Sequence, residues 1–335
     1  MEQQIQFDNH TGETLAGTLH QPKRMPVGAI VAGHCFTCSR HTGVLRRICS
    51  TLCEAGFMAL RFDFSGNGQS QGRFEQSTWS KQVLEMEAAI ALIREKGAPW
   101  IGLTGHSLGA AIALLAARRI KTVSAVCRVA GRVSATRPMH FLTPSQQQTL
   151  EQTGQVGFNS RERQLTLSRD FFDDADRHDL MDATRSLTIP MLVVHGDRDK
   201  IIPVAEAHLA KTANPRMVEL AIVAGGDHML AQSDHQRQVA RTVTDWFCRQ
   251  AGAPAPGAGR VHRDDALAAV HLVAALADRA RDLGAAVLRT GALAGPAVAL
   301  ALDRERALDA RIDLLERQVE HDLQVAPAGG SRAPA

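Results

Sequence analysis

The chain has 335 residues, of which 44% are hydrophobic and 22% are charged, a balance typical of a globular protein with a sizeable core. Its formal net charge of +3 is too small to indicate binding to nucleic acid or to an anionic membrane surface. The first residues, Met1-Glu2-Gln3-Gln4, lack the basic and apolar regions of a secretory signal. No apolar run reaches the roughly 18 to 20 residues that span a bilayer. We therefore expect a soluble, cytoplasmic protein whose six cysteines are reduced thiols.

Short apolar runs alternate with amphipathic segments over residues 1–250. The runs that predict strands are residues 4–7, 14–20, 29–32, 57–64, 100–104, 123–129, 190–194 and 218–223. The segments that predict helices are residues 44–55, 79–96, 108–118, 204–212 and 235–249. This alternation indicates an α/β protein with a mostly parallel sheet covered by helices on both faces. Such a sheet places its active site at the carboxyl ends of the strands.

Residues 134–186 interrupt this alternation with a polar, irregular segment between two predicted strands. Its isolated apolar residues are Phe141, Phe158, Phe171 and Phe172. We expect a small lid-like insertion over a site rather than a separate domain. A long surface connection that contains one or two helices is the open alternative.

The composition changes after the predicted α/β domain, residues 1–250. Residues 251–259 form a Pro/Gly/Ala linker, residues 260–325 an Ala-rich helical tail, and residues 326–335 a predicted disordered end. The tail is expected to contain two helices, and the second has a 4-3-4 spacing at Leu308, Ile312, Leu315 and Val319. This spacing suits a homo-oligomer, and it equally suits packing on the first tail helix or on the rest of the chain.

The central motif is Gly105-His106-Ser107-Leu108-Gly109, a G-x-S-x-G pattern between a predicted strand and a predicted helix. A strand that turns sharply into a helix brings the backbone close to itself, so glycines are needed on both sides of the turn. The serine then projects at the carboxyl edge of the sheet. The motif predicts Ser107 as a nucleophile.

A serine hydroxyl needs a base to take its proton and an acid to orient that base. His228 follows the predicted strand 218–223 and is the expected base; Asp199 follows strand 190–194 and is the expected acid. The chain order Ser, Asp, His agrees with the G-x-S-x-G pattern. Asp197 stays open as an alternative acid. His106 is expected to pack and to form hydrogen bonds rather than to act as a second base.

An oxyanion hole requires two backbone N–H groups that face the developing negative charge. The residue after the nucleophile, Leu108, is expected to supply one of them. The loop His34-Cys35-Phe36-Thr37 after strand 29–32 is expected to supply the other, and we assign it to Phe36.

With these motifs, residues 1–250 resemble the α/β-hydrolase family, most closely the hydrolase half of bifunctional proteins that also carry an OsmC-like domain. The resemblance rests on residues 33–39, 61–70, 105–109, 171–174, 178–180 and 226–230. It implies the α/β-hydrolase fold with an eight-stranded sheet, the nucleophile after the fifth strand, and Asp199 and His228 in the roles given above. Two departures are His34-Cys35, where many relatives have His-Gly, and a tail unlike an OsmC domain, so peroxidase chemistry is not implied.

These observations predict a serine hydrolase that transfers an acyl group from a small ester, thioester or amide to water, without metal or organic cofactor. Three alternatives remain. Cys35-x-x-Cys38 has the spacing of a thiol redox or metal motif, and Gly66-x-Gly68-x-x-x-Gly72 partly matches a nucleotide-binding loop but has its third glycine misplaced. A non-catalytic scaffold that uses the helical tail as its partner surface is the third.

Overall fold

The computed structural model describes residues 1–134 and 142–253, which fall within the unit Met1–Pro256. Phe141, most of the predicted linker, the predicted tail helices with their proposed oligomer seam, and the predicted disordered end lie outside the described residues. Within the described part of the chain, no helix is both long and apolar enough to cross a membrane.

Eight strands of the described chain form one twisted sheet, in the spatial order β1-β2-β4-β3-β5-β6-β9-β10. Strands β1 to β2 and β2 to β4 pair antiparallel, and every later pair is parallel. The bounds are β1 Glu2–Asp8, β2 Thr14–His20, β3 Gly28–Gly33, β4 Phe57–Phe62, β5 Ile101–His106, β6 Ala125–Val129, β9 Met191–Gly196 and β10 Val218–Val223. The predicted mostly parallel sheet is confirmed.

Helices cover both faces of this sheet, because central strands such as β3 are apolar on both sides and must be buried on both. The bounds are α1 Gly43–Glu54, α2 Trp79–Glu95, α3 Leu108–Arg119, α7 Ala205–Ala213 and α8 Ser233–Ala251. Leu45 of α1 and Trp246 of α8 are buried in one apolar core. Met86 of α2 and Leu114 of α3 are buried in the other.

The described part of the predicted insertion, residues 142–186, folds into more regular structure than its sequence predicts. It contains α4 Pro144–Thr153, the antiparallel hairpin of β7 Gln155–Ser160 and β8 Arg163–Ser168, α5 Arg169–Ala175 and α6 Leu180–Arg185. The hairpin is unpredicted because its turn residues, Arg161 and Glu162, have φ values of 50° and 61° without the glycine or asparagine that usually signals such a turn. Its role as a lid stays a prediction.

The expectation of six reduced thiols is wrong for one pair of cysteines. Cys35 and Cys38, in the loop after β3, form a disulfide, and their Cα atoms are 5.2 Å apart, within the range that a disulfide can bridge. Cys49, Cys53, Cys127 and Cys248 are free. Burial raises the pKa of Cys49 and Cys127 to about 12, so these thiols are unreactive at neutral pH.

Candidate active site

The turn from β5 into α3 holds Ser107 in a conformation that is rare for a residue with a side chain, with φ of 58° and ψ of −116°. A Cβ added at Gly105 would lie 2.1 Å from the carbonyl oxygen of Gly109, and one added at Gly109 would lie 2.2 Å from that of Gly33. Both glycines are therefore required by close backbone approach. The strained turn presents the Ser107 side chain at the carboxyl edge of the sheet.

Three side chains from separate strand ends form a continuous hydrogen-bonded series. His228 Nδ1 lies 2.7 Å from Asp199 Oδ2, and His228 Nε2 lies 3.0 Å from Ser107 Oγ. An ionised carboxylate only accepts, so Nδ1 carries the imidazole proton, and Nε2 is left to accept the Ser107 hydroxyl proton. The side chain of Asp199 is fully buried and that of His228 is 13% exposed. The structure thus brings together the three residues predicted from sequence.

The surroundings of Asp199 keep its carboxylate ionised. Burial by itself would raise the pKa of Asp199, but hydrogen bonds from His195 and His228 and from the backbone hold that pKa well below its ordinary value. Its Oδ1 accepts the N–H groups of Ile201 and Ile202, each at 2.8 Å. The acid therefore stays negatively charged at neutral pH, as an imidazole partner requires.

Asp197, the open alternative for the acid, binds a different group. Its Oδ1 accepts the backbone N–H of Gly225 at 2.7 Å and so joins the loop after β9 to the loop after β10. A Cβ added at Gly196 would lie 2.2 Å from the carbonyl oxygen of Gly226, so the same two loops also pack backbone against backbone. This close packing brings the loop of Asp199 against the loop of His228.

Two buried histidines, His106 and His195, contact His228 and Asp199 respectively. His106 Nε2 lies 2.7 Å from the carbonyl oxygen of His228. Burial, followed by the repulsion that would arise if both imidazoles were protonated, lowers the pKa of His106 to about 4. His106 is therefore neutral at pH 7 and donates to that carbonyl, in line with the packing and hydrogen-bonding role predicted for it.

The second histidine, His195, was not predicted from the sequence to contact the acid. Its Nε2 lies 2.8 Å from the carbonyl oxygen of Ile202 and 3.3 Å from Asp199 Oδ2. Because both neighbours accept, Nε2 carries the proton and is shared between them. The available signal was a histidine at the end of β9, four residues before the acid.

The two predicted oxyanion donors belong to Phe36 and Leu108, residues at the same cavity as Ser107. Leu108 is the first residue of α3, so its N–H belongs to the amides at a helix N-terminus that have no intrahelical partner. The loop of Phe36 is held by His34, whose Nδ1 donates to the Cys35 carbonyl at 2.7 Å while its Nε2 accepts the Phe64 N–H at 3.0 Å.

A cavity of about 510 Å³ opens at Ser107 between the sheet edge and the insertion. Its wall is mainly apolar and aromatic. The described lining residues are Phe36, Thr37, Trp79, Ser107, Leu108, Ala111, Arg132, Gln146, Phe158, Asn159, Ser160, Phe171, Leu180, Ile201 and Ile202. The ring of Phe36 lies 5.1 Å from that of Phe171 and stacks on that of Phe158 at 6.0 Å. A volume and lining of this kind suit an apolar organic substrate.

The metal-binding and nucleotide-binding alternatives gain no support from the geometry of the described residues, whereas the disulfide between Cys35 and Cys38 is compatible with the thiol redox alternative. Across residues 1–134 and 142–253, no group of three or more His, Cys, Asp or Glu side chains is arranged to hold a metal ion. A Cβ added at Gly68 would lie 2.1 Å from Asp63 Oδ2, so that glycine is needed to shape the turn after β4. The prediction that the reaction needs no cofactor stays a prediction.

A mostly parallel sheet in this strand order, with a serine on the strained turn after its fifth strand, defines the α/β-hydrolase class. Comparisons with known proteins agree. The model of a family described as serine aminopeptidase, S33, matches residues 26–183. The esterase domain of a Rhodothermus marinus protein superposes with a TM-score of 0.62 at 27% identity, over 74% of this chain and 98% of that one.

Two curated relatives are both named palmitoyl-protein thioesterase ABHD10, mitochondrial. The mouse protein is 26% identical over 217 residues, which is 62% of this chain and 71% of that protein. The rat protein is 31% identical over 158 residues, 44% of this chain and 50% of that protein. On the fold and these relatives together, the chain is an α/β hydrolase, and it is an enzyme. Similarity to the OsmC-fused subgroup stays a prediction.

Proposed function

We propose that this protein is a serine hydrolase that cleaves an ester, or a thioester or amide, of a small acyl substrate through an acyl-enzyme on Ser107. The observation that carries the proposal is the unbroken series from Ser107 Oγ to His228 at 3.0 Å and from His228 to Asp199 at 2.7 Å. These distances are short enough for a proton to pass from the hydroxyl to the imidazole. A fully buried carboxylate then stabilises the imidazolium that forms.

The reaction proceeds in two acyl-transfer steps. Ser107 Oγ bonds to the substrate carbonyl carbon as its proton moves to His228 Nε2, and the N–H groups of Phe36 and Leu108 hold the oxyanion. His228 then gives the proton to the leaving group, and the bond from the acyl carbon to that group breaks. Water then loses a proton to His228 as its oxygen bonds to the acyl carbon. The bond from that carbon to Ser107 Oγ breaks, His228 returns the proton to Ser107 Oγ, and the acid is released. Each oxyanion donor is expected to contribute about 2.7–4 kcal/mol to transition-state stabilisation.

The names of the thioesterase relatives and of the esterase structure favour esters and thioesters over amides, although the matched family model is described as a serine aminopeptidase. The wall around Phe36, Phe158 and Phe171 is apolar, which suits an acyl chain or ring. The relatives in mouse and rat are named as thioesterases, and the Rhodothermus marinus structure is named as an esterase domain. The proposal also includes a small-molecule acyl substrate, a homo-oligomer through the tail helices and a cytoplasmic location. The curated relatives in mouse and rat are both named as mitochondrial.

A serine-reactive fluorophosphonate tests the proposal directly. We expect the full chain to be labelled, and the label to be lost in Ser107→Ala. Hydrolysis of a series of p-nitrophenyl esters of increasing chain length is expected to fall by about a factor of 10⁶ in Ser107→Ala and in His228→Ala, because serine and base act as one unit. Hydrolysis that survives either substitution would contradict the mechanism. Absence of labelling in the wild type would favour the non-catalytic scaffold.

A further inference from the structure

The cavity at Ser107 contains one charged side chain among its described lining residues, Arg132. Arg132 follows β6 at the carboxyl edge of the sheet and is half-buried. Its backbone is fixed, because Arg128 donates to its carbonyl oxygen and because Ala130, with φ of 50°, is bonded to the Val194 carbonyl at 2.9 Å. A guanidinium on a fixed backbone beside the nucleophile is a recognition group for carboxylates and other anions.

The carboxylate that interacts electrostatically with this guanidinium, Glu206, directs its hydrogen bonds elsewhere. It accepts the N–H of Val133 at 2.8 Å and that of Ser134 at 2.9 Å, and it also accepts the Ser134 hydroxyl. Within the described chain, neither Glu206 nor any other carboxylate forms an ion pair with the Arg132 side chain.

Glu206 also lies in the field of a second cation. Arg128 is fully buried; burial lowers its pKa to about 10, and the charge of Glu206 acts in the opposite direction, so Arg128 stays protonated at neutral pH. Burial would raise the pKa of Glu206, but its hydrogen bonds and the charge of Arg132 hold that pKa below its ordinary value. Among the described residues, the guanidinium groups of Arg128 and Arg132 thus share the one carboxylate of Glu206, and this group of three side chains carries a net positive charge.

We propose that Arg132 is an anion-binding subsite, and that the preferred substrates are esters or thioesters that carry a carboxylate on an otherwise apolar body. This inference rests on the proposed hydrolase function and adds the substrate class to it. The aromatic wall near Phe36 and Phe158 accommodates the apolar body, while the guanidinium satisfies the carboxylate. A neutral substrate would leave the half-buried charge of Arg132 without a partner.

Matched ester pairs separate charge from size and shape. The first pair carries the charge on the acyl group: the mono-4-nitrophenyl ester of suberic acid and the methyl ester of that compound. The second pair carries the charge on the leaving group: 4-carboxyphenyl butyrate and 4-(methoxycarbonyl)phenyl butyrate. For each pair the ratio of kcat/KM, charged over neutral, is measured with the full-length enzyme. We expect at least one pair to show a ratio above one, and the responding pair identifies which portion of the substrate meets Arg132.

The variants are Arg132→Gln, Arg132→Lys and, as a matched control, Arg163→Gln. Arg163 is an exposed arginine of the neighbouring hairpin that is absent from the described lining of the cavity. In Arg132→Gln the responding ratio is expected to fall about tenfold, equivalent to about 1.4 kcal/mol. Arg132→Lys, which keeps the charge but loses the planar fork, is expected to recover part of it. Arg163→Gln is expected to leave the ratio unchanged.

The result separates this inference from the proposed function. Ratios of one or less for both pairs in the wild type, or an unchanged ratio in Arg132→Gln, would overturn the anion subsite while fluorophosphonate labelling of Ser107 still supports the hydrolase. If Arg132→Gln does not fold, a competition experiment on the wild-type enzyme tests the anion subsite instead. The charged ester of the responding pair must then lose its advantage when sodium acetate replaces an equal concentration of sodium chloride, because acetate can occupy the guanidinium without filling the apolar wall. An advantage that persists would count against the subsite.

Discussion

At the carboxyl edge of the sheet, Ser107, Asp199 and His228 are positioned by backbone packing between strand ends, with glycines at the closest approaches. In the insertion, by contrast, Phe158 and Phe171 reach the cavity from a hairpin and a short helix, through contacts between side chains. The edge therefore holds the proposed reacting groups through backbone contacts, and the insertion contributes side chains to the wall of the cavity. Substitutions at the edge should alter the chemical step, whereas substitutions in the insertion should alter binding.

The largest effect is expected from the acid at the sheet edge. Asp199→Asn removes the negative charge and allows the wrong imidazole tautomer, so kcat is expected to fall by about 10⁴ with little change in KM. The neighbouring Asp197→Asn is the control, because Asp197 binds the Gly225 N–H rather than the imidazole. Steady-state kinetics on a p-nitrophenyl ester measures both. A larger loss of kcat in Asp197→Asn would assign the acid role to Asp197.

The next prediction concerns the free energy of unfolding and compares a glycine at the sheet edge, Gly109, with one in the insertion, Gly157. The three atoms nearest to a Cβ at Gly109 all belong to the backbone, the closest at 2.2 Å, so Gly109→Ala must push α3 away from the end of β3. We expect the free energy of unfolding to fall by about 3 kcal/mol. At Gly157, in β7 of the insertion, the nearest atom to an added Cβ lies 4.0 Å away. Gly157→Ala is expected to be about 0.4–1 kcal/mol more stable.

Urea denaturation of the full-length variants measures both changes in stability. Equal losses at Gly109 and Gly157 would show that backbone packing is no tighter at the edge than in the insertion.

The sequence predicts the sheet and the residues at its edge better than it predicts the insertion. The bounds of β2 and β10 agree with those predicted, because apolar alternation and turn residues are local signals. Ser107, Asp199 and His228 could be found because each follows its own predicted strand. The hairpin at Arg161 could not, since tertiary packing imposes a turn that its residues do not favour. Arg132 belongs to no sequence motif. Its proposed role in anion binding depends on the hydrogen bonds of Glu206 to other groups, which the sequence does not reveal.

A smaller effect concerns pH and the histidine buried behind the edge. The pKa of His106 is about 4 in the folded protein, because burial disfavours its charged form, and 6.5 is its ordinary value. Between these pH values the unfolded chain binds a proton that folded His106 does not, so stability falls as the pH falls. His106→Gln is expected to reduce this slope by up to about 1.4 kcal/mol per pH unit.

Urea denaturation at pH 7, 6 and 5 measures the slope attributed to His106. This window lies above the acidic range in which Asp199, whose pKa is depressed, would lose its own contribution to stability. His20 and His34, whose pKa values burial also lowers, leave a residual slope of the same sign in the variant. An unchanged slope in His106→Gln would mean that His106 is protonated within the fold.

The smallest effect tests the insertion itself. Phe158→Ala removes the ring that stacks on Phe36 at 6.0 Å, so KM for an ester with an aromatic acyl group is expected to rise by up to about tenfold. Phe158→Leu, which keeps apolar volume but loses the ring, should recover part of the affinity. Because Phe36 is also a proposed oxyanion donor, a loss of kcat without a change in KM would mean that the insertion positions the oxyanion loop. The hairpin would then belong to the chemistry, and the division between edge and insertion would fail.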